Sequence, residues 1–178
     1  MQDAFLQVNQ RGADYRGSPS GLECTCLVPS RRVMSEIPKP LQVYIVEDSP
    51  IIQRLLAAAA MAAGAKVIGC SADAETAIAD VFALEPDLIM IDISLASGSG
   101  FDVLRAVQEH SLVPGAIKVV LTNYANAEYQ NLSLRLGADR FFDKSSETSQ
   151  ALALINTLVA ERRRNVPPHR SSTIPPAS

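Results

Sequence analysis

Short apolar segments alternate with longer amphipathic segments along most of this chain. The apolar segments cover residues 41–46, 65–71, 87–93, 116–122 and 139–143, and the segments that follow them cover 49–64, 74–85, 100–110, 126–137 and 146–164. The first set is typical of strands buried on both faces, and the second set is typical of helices. Strict strand–helix alternation favours a parallel sheet with helices on both of its faces, joined by right-handed crossovers. We therefore predict an α/β fold, a doubly wound (βα)5 domain with a parallel five-stranded sheet.

Residues that favour helix ends support the first two of these helices. Ser49 is a good N-cap, Pro50 suits the first helical position, and Gly64 suits the position that ends a helix. Pro86 stops the second helix, because the residue before a proline avoids the helical conformation.

The two ends of the chain lack this repeating pattern. Residues 1–40 contain several glycines, prolines and serines without a lasting apolar period, so we predict a flexible N-terminal extension. The domain covers 41–161, and 162–178 is predicted to be a disordered, basic, proline-rich tail. Met34 lies shortly before the first strand, and we hypothesise that translation begins there. The 17 residues after the domain are too few for an output domain that folds by itself.

Charge is unevenly distributed, although the whole chain carries only −3. Residues 41–161 hold seven basic and fifteen acidic residues, which gives −8, whereas the four arginines of 162–178 give +4. A compact body of that charge repels phosphate, so nucleic-acid binding is disfavoured and cation binding is favoured. No apolar run approaches the roughly 18 residues of a membrane span, and no N-terminal stretch has the pattern of a secretory signal. The three cysteines, an odd number, do not make a disulfide scaffold, so we expect a cytoplasmic protein with reduced thiols.

Polar residues follow four of the five predicted strands. Glu47 and Asp48 follow the first strand, Asp92 lies near the end of the third, Thr122 ends the fourth, and Lys144 follows the fifth. In an open parallel sheet, ligands bind outside the carboxyl ends of the strands, where the strand order reverses. Three carboxylates at one edge repel one another unless a cation neutralises them. Hard oxygen ligands favour Mg²⁺ or Ca²⁺, and one or two carboxylates completed by waters and phosphate oxygens are typical of Mg²⁺.

Four sequence motifs resemble the receiver domain of two-component response regulators. They are VYIVEDSP (43–50), LIMIDISLASGSGFDVL (88–104), VVLTNYA (119–125) and DRFFDKS (139–145). The spacing is also similar, with 44 residues from Asp48 to Asp92, 30 more to Thr122 and 22 more to Lys144. The resemblance covers 41–161 and implies a flavodoxin-like fold with strand order 2-1-3-4-5 and a stand-alone response regulator.

The resemblance assigns a role to each residue at this edge. Asp92 would accept a phosphoryl group from a phosphohistidine, supplied by a sensor histidine kinase or a histidine phosphotransfer protein. Glu47, Asp48, Asp92 and the backbone carbonyl of Ser94 would hold Mg²⁺, or Mn²⁺ in its place. The ammonium group of Lys144 would contact a phosphoryl oxygen. The protein would not be an enzyme beyond promoting its own phosphotransfer and dephosphorylation.

The resemblance also implies a switch and a surface that reads it out. The hydroxyl of Thr122 would move toward the phosphoryl group, and Phe141 would turn into the space that it leaves. This change would alter the surface of the fourth helix, fifth strand and fifth helix, which could bind a downstream target protein or a second copy of the chain. Ser94 and Tyr124 occupy positions that tune dephosphorylation, and we hypothesise that the bulky Tyr124 shields the acyl phosphate from water.

Three positions depart from the common pattern of the family. Ala96 and Ser145 stand where proline is common, and Asn123 stands where a small residue is usual. Serine in place of proline at 145 affects the expected geometry of the loop after the fifth strand, but not the role assigned to Lys144. The change at Asn123 concerns access to the phosphoryl group.

Other classes of protein fit the residues less well. A haloacid-dehalogenase-type phosphatase needs a second aspartate two residues after its nucleophile, where this chain has Ser94. A flavodoxin needs a phosphate loop rich in Ser, Thr and Gly after the first strand, where this chain has the acidic EDSP. A degenerate receiver that binds partners without phosphorylation is the remaining alternative.

Overall fold

The computed structural model describes residues 39–110 and 113–164 of the chain. Within them the strands are β1 (Gln42–Val46), β2 (Lys66–Ser71), β3 (Leu88–Ile91), β4 (Ile117–Thr122) and β5 (Arg140–Asp143). The helices are α1 (Pro50–Ala63), α2 (Ala74–Leu84), α3 (Gly100–His110), α4 (Ala127–Arg135) and α5 (Thr148–Arg164). All strand pairs are parallel, in the order β2-β1-β3-β4-β5. The predicted flavodoxin-like α/β fold, a doubly wound five-stranded sheet, is confirmed.

The sheet carries an apolar core on each face. One core lies under α2, α3 and α4, and its strand residues are Tyr44, Val46, Ile89, Ile91 and Val120. The other lies under α1 and α5, and its strand residues are Val43, Ile45, Leu88, Met90, Val119 and Leu121. Side chains alternate between the two faces along each strand, so a strand that is covered on both faces must be apolar throughout.

Local interactions determine where α1 begins and ends and where β3 ends. Ser49 is the N-cap residue of α1, as predicted, but its side chain makes no capping hydrogen bond. Gly64 ends α1 in the left-handed conformation with a φ of 90°, which a glycine adopts without strain. β3 ends at Ile91 rather than at the predicted residue 93, because the chain turns back there: the Ile93 carbonyl accepts a hydrogen bond from the Gly100 N–H at 3.0 Å.

Helix α5 continues three residues past 161, where the domain was predicted to end. Arg162, Arg163 and Arg164 belong to α5, as the predicted helix 146–164 had it, and not to a disordered tail. The Arg162 guanidinium lies 2.7 Å from the Asp87 carboxylate, which holds this turn of the helix against the start of β3. The remaining tail, the extension up to residue 38 and the predicted start at Met34 lie outside the described residues.

Within the described residues, no helix is both long enough and apolar enough to cross a bilayer.

Candidate functional site

The carboxyl ends of β1 and β3 bring three carboxylates together. The two strands are neighbours, with Val46 opposite Ile91, and the residues that follow them are Glu47, Asp48 and Asp92. One oxygen from each of these three side chains lies within 4.8 Å of the others. They line a pocket of about 310 Å³ whose full lining is Glu47, Asp48, Ser49, Ile52, Asp92, Ser94, Asn123, Tyr124 and Lys144. This is the point at which the strand order reverses, where the sequence predicted a ligand site.

Glu47 is the most deeply buried acid of the site, with 2% of its surface exposed. Its backbone N–H donates to the Ser71 carbonyl at 2.9 Å, which extends the β1–β2 ladder by one residue. Burial raises the pKa of the Glu47 carboxyl, and the ammonium of Lys144 opposes that rise. A neighbouring cation favours the charged form of a buried carboxylate.

Lys144 supplies one such cation. Its Nζ lies 2.6 Å from Glu47 Oε2 and 2.6 Å from Asp92 Oδ2, and 9% of the side chain is exposed. One ammonium therefore contacts two buried carboxylates, while Asp48 is exposed at the pocket rim. The four groups together carry −2 when the acids are ionised. The cluster consists of hard oxygen donors with excess negative charge, and this donor set fits a divalent cation such as Mg²⁺.

A tight turn after β5 fixes the position of Lys144. The Lys144 N–H donates to the Thr122 carbonyl at 2.9 Å, and the Lys144 carbonyl accepts from the Thr148 hydroxyl at 2.7 Å. The Asp143 carboxylate accepts from both the N–H and the hydroxyl of Ser145, at 2.8 and 2.6 Å. These hydrogen bonds hold the pKa of the Asp143 carboxyl below its usual value. Ser145, where the family often has proline, thus helps to close the turn.

The remaining predicted residues lie at different distances from the pocket. Ser94 lines it and its N–H donates to Asp92 Oδ1 at 3.3 Å. Tyr124 also lines it, with 54% of its surface exposed. Thr122 is fully buried at the end of β4, and its hydroxyl oxygen accepts from the Tyr124 N–H at 3.2 Å. Phe141 is half-buried and packs against the core under α2, α3 and α4 rather than lining the pocket.

Two contacts that position the acids were not predicted from the sequence. The Gln53 side chain donates from Nε2 to the Glu47 carbonyl at 2.6 Å, which ties the loop after β1 to the first turns of α1. Gly100 lies so close to the Asp92 carbonyl that a Cβ would collide with it. Gln53 lies near the start of α1 and Gly100 at the start of α3. Neither position forms a sequence pattern that predicts which residue it contacts.

Known proteins are similar to this chain in sequence and in fold. Residues 43–156 match the response regulator receiver domain family. A protein-glutamate methylesterase/protein-glutamine glutaminase from Syntrophus aciditrophicus is 31% identical over 109 residues, which are 60% of this chain and 31% of that protein. The DNA-binding response regulator MtrA of Mycolicibacterium smegmatis is 30% identical over 126 residues, which are 70% of this chain and 51% of that protein. The chain therefore spans about a third of the first relative and half of the second.

A solved structure shows the same architecture. The CheY-like receiver domain protein from Methanospirillum hungatei superposes with a TM-score of 0.61 at 26% identity, over 70% of this chain and 98% of that one. The family match covers both faces of the sheet and every strand end at the acidic pocket. The chain belongs to the response regulator receiver domain family and is a receiver domain of two-component signalling.

Proposed function

We propose that Asp92 accepts a phosphoryl group from a phosphohistidine of a sensor histidine kinase or a histidine phosphotransfer protein. An Asp92 carboxylate oxygen attacks phosphorus, the P–N bond to the histidine breaks, and the histidine leaves with the bonding electron pair. The observation that supports this most is the contact of the Lys144 ammonium with both Glu47 and Asp92, 2.6 Å each, at a pocket open to solvent. These contacts hold the Asp92 carboxylate beside an ammonium group at the pocket where the phosphoryl donor would enter.

The acidic cluster fits a divalent cation beside that nucleophile. Glu47, Asp48, Asp92 and the backbone carbonyl of Ser94 would hold Mg²⁺, and Mn²⁺ prefers the same oxygen ligands. When bound, such an ion neutralises charge on the phosphoryl oxygens. The chain itself adds the Lys144 ammonium for a second oxygen. The Thr122 hydroxyl, which now accepts from the Tyr124 N–H, would donate to a third oxygen after moving toward the phosphoryl group.

Phosphorylation would then be read out through the neighbouring surface. Thr122 and Phe141 belong to adjacent strands, β4 and β5, so a movement of one leaves or fills space beside the other. We propose that this pair switches the surface of α4, β5 and α5 for a downstream target protein or for a homodimer. The site's chemistry ends with a phosphoryl group on the protein itself, so we propose a regulator rather than an enzyme with an external substrate.

Labelling with acetyl phosphate tests the phosphoacceptor directly. The full chain is incubated with acetyl phosphate and MgCl₂, and intact mass spectrometry follows the gain of one phosphoryl group. We expect labelling of the wild type and of the control Asp139→Asn, whose carboxylate lies on the surface and pairs with Lys118 at 3.2 Å. Asp92→Asn should remain unlabelled.

Either of two results would contradict the proposal. Labelling that persists in Asp92→Asn would place the phosphoryl group on another residue. A wild-type chain that stays unlabelled with acetyl phosphate and with kinase would instead support a degenerate receiver that binds partners without phosphorylation.

A further inference from the structure

Three aromatic rings form a continuous row from α3 to the acidic pocket. Phe101 of α3 meets Tyr129 of α4 edge to face, with ring centroids 5.4 Å apart and an interplanar angle of 86°. Tyr129 in turn meets Tyr124, with centroids 6.3 Å apart and an angle of 51°. Tyr124 is also a lining residue of the pocket that contains Asp92. This aromatic row, Phe101–Tyr129–Tyr124, therefore connects two helices with the mouth of the site.

The backbone of Tyr124 is fixed, but its ring projects into solvent. The Tyr124 N–H donates to the Thr122 hydroxyl at 3.2 Å, and the Tyr124 carbonyl accepts from the Asn126 N–H at 3.0 Å. The side chain remains 54% exposed, so burial does not hold the ring in one place. Tyr129 is the aromatic neighbour that it contacts among the described residues. An exposed ring that is free to rotate about its side-chain bonds needs such a support to stay in one orientation.

Tyr129 is well placed to give that support. Its N–H donates to the Asn126 side chain at 2.8 Å in the N-cap of α4, and its ring packs against the core under α2, α3 and α4. Phe101 of α3 contacts the same ring edge to face. The position of Tyr129 thus depends on α3 and α4, whereas its contact with Tyr124 reaches the pocket.

We propose that Tyr129 is a positioning residue that keeps the Tyr124 ring at the mouth of the pocket and thereby lengthens the life of the phosphoryl group on Asp92. The inference rests on the proposed phosphorylation of Asp92. In hydrolysis, water attacks phosphorus, the P–O bond to Asp92 breaks, and inorganic phosphate leaves with the carboxylate restored. A ring held over the mouth hinders the approach of that water, and a ring that swings away does not.

Dephosphorylation rates of four variants test this role. The full chain and the variants Tyr129→Phe, Tyr129→Leu, Tyr124→Ala and the double variant Tyr124→Ala/Tyr129→Leu are labelled, and the loss of the phosphoryl group is followed by intact mass. Tyr129→Leu should shorten the lifetime roughly two- to tenfold, and Tyr129→Phe, which keeps the ring, should retain the wild-type lifetime. The double variant should decay no faster than Tyr124→Ala, because Tyr129 acts only through Tyr124.

A second measurement does not depend on phosphorylation or on the stability of any variant. In the unlabelled wild type, NMR cross-relaxation between the ring protons of Tyr124 and Tyr129 should be detectable at the distance found here, and its absence would overturn the inference. An unchanged lifetime in Tyr129→Leu, or an equal shortening in the presence and absence of the Tyr124 ring, would overturn it while leaving the proposed function intact. A wild type that is not labelled at all would overturn both.

Discussion

Gly100 shows how closely a single residue can constrain the site. A Cβ at this position would collide with the Asp92 carbonyl oxygen and would lie 2.8 Å from Ile91 Cγ2. Since one neighbour ends β3 and the other is the proposed phosphoacceptor that follows it, relief of the clash must move this end of the strand or α3. We expect Gly100→Ala to lower the free energy of unfolding by about 1–3 kcal/mol, measured by urea denaturation, and to slow labelling of Asp92.

Gly115 provides a matched control for that prediction. A Cβ there would meet no atom within 4 Å, and the residue lies in the short connection before β4. Gly115→Ala should change the free energy of unfolding by less than about 0.5 kcal/mol. Equal destabilisation by both substitutions would show that the loss comes from the backbone preference of glycine and not from contact with Asp92.

The sequence predicts which polar residues lie at the strand ends, but it does not predict which side chains they contact. Glu47, Asp48, Asp92 and Lys144 do meet in one pocket, because parallel strands end at the same edge of the sheet. The sequence does not reveal that the lysine contacts two of these acids at once, since this depends on the turn that Asp143 closes. The contact of Gln53 with the loop and the row of aromatic rings likewise depend on how α1, α3 and α4 pack.

At the scale of an element, the stability of α2 depends on its N-cap residue, Asp73. Asp73 accepts the Thr76 N–H at 2.8 Å, and this hydrogen bond holds the pKa of the Asp73 carboxyl below its usual value. A lowered folded-state pKa stabilises the protein above the unfolded value of about 3.9, and that contribution disappears as the pH falls through the folded value. We expect Asp73→Ala to lower the urea midpoint at pH 7 and to lose less stability than the wild type on acidification.

The variant Asp73→Asn separates the cap from its charge. Asparagine keeps an acceptor oxygen at the N-cap but does not titrate, so it should retain more of the stability at pH 7 than Asp73→Ala does. Its urea midpoint should also fall less than that of the wild type between pH 5 and pH 3. This range includes the unperturbed aspartate pKa of about 3.9. Parallel acid profiles for the wild type and Asp73→Asn would contradict a contribution from the ionised cap.

The order and type of every described element could be predicted, whereas their ends depended on tertiary contacts. The period of apolar residues identifies ten elements because both faces of the sheet must be covered. β3 is shorter than its apolar run, since Ile93 bonds to the start of α3 instead of to a neighbouring strand. The last turn of α5 lies beyond the predicted boundary of the domain, where an ion pair between Arg162 and Asp87 holds it.

Across the whole domain, opposite charges lie at opposite ends of the sheet. The acidic pocket lies at the carboxyl ends of the strands, while α5 returns and places its arginines at the amino ends, beside Asp87 and Gly64. These arginines are too distant to neutralise the pocket, because interactions beyond about 8–10 Å are screened at physiological salt. When the three acids are ionised, their excess charge over Lys144 is therefore a local repulsion in the folded state.

A divalent cation that binds this pocket should consequently stabilise the whole domain. Binding to the folded state alone adds RT ln(1 + [L]/Kd), which is about 1.4 kcal/mol at ten times the dissociation constant. We expect the thermal midpoint of the wild type to rise with MgCl₂ and to level off, compared at constant ionic strength with NaCl so that general screening cancels. Asp48→Asn should blunt the rise, and since Asp48 is exposed this variant should keep the fold. An equal rise in the variant would mean that Mg²⁺ acts on the surface charge of the domain and not through the three carboxylates at the ends of β1 and β3.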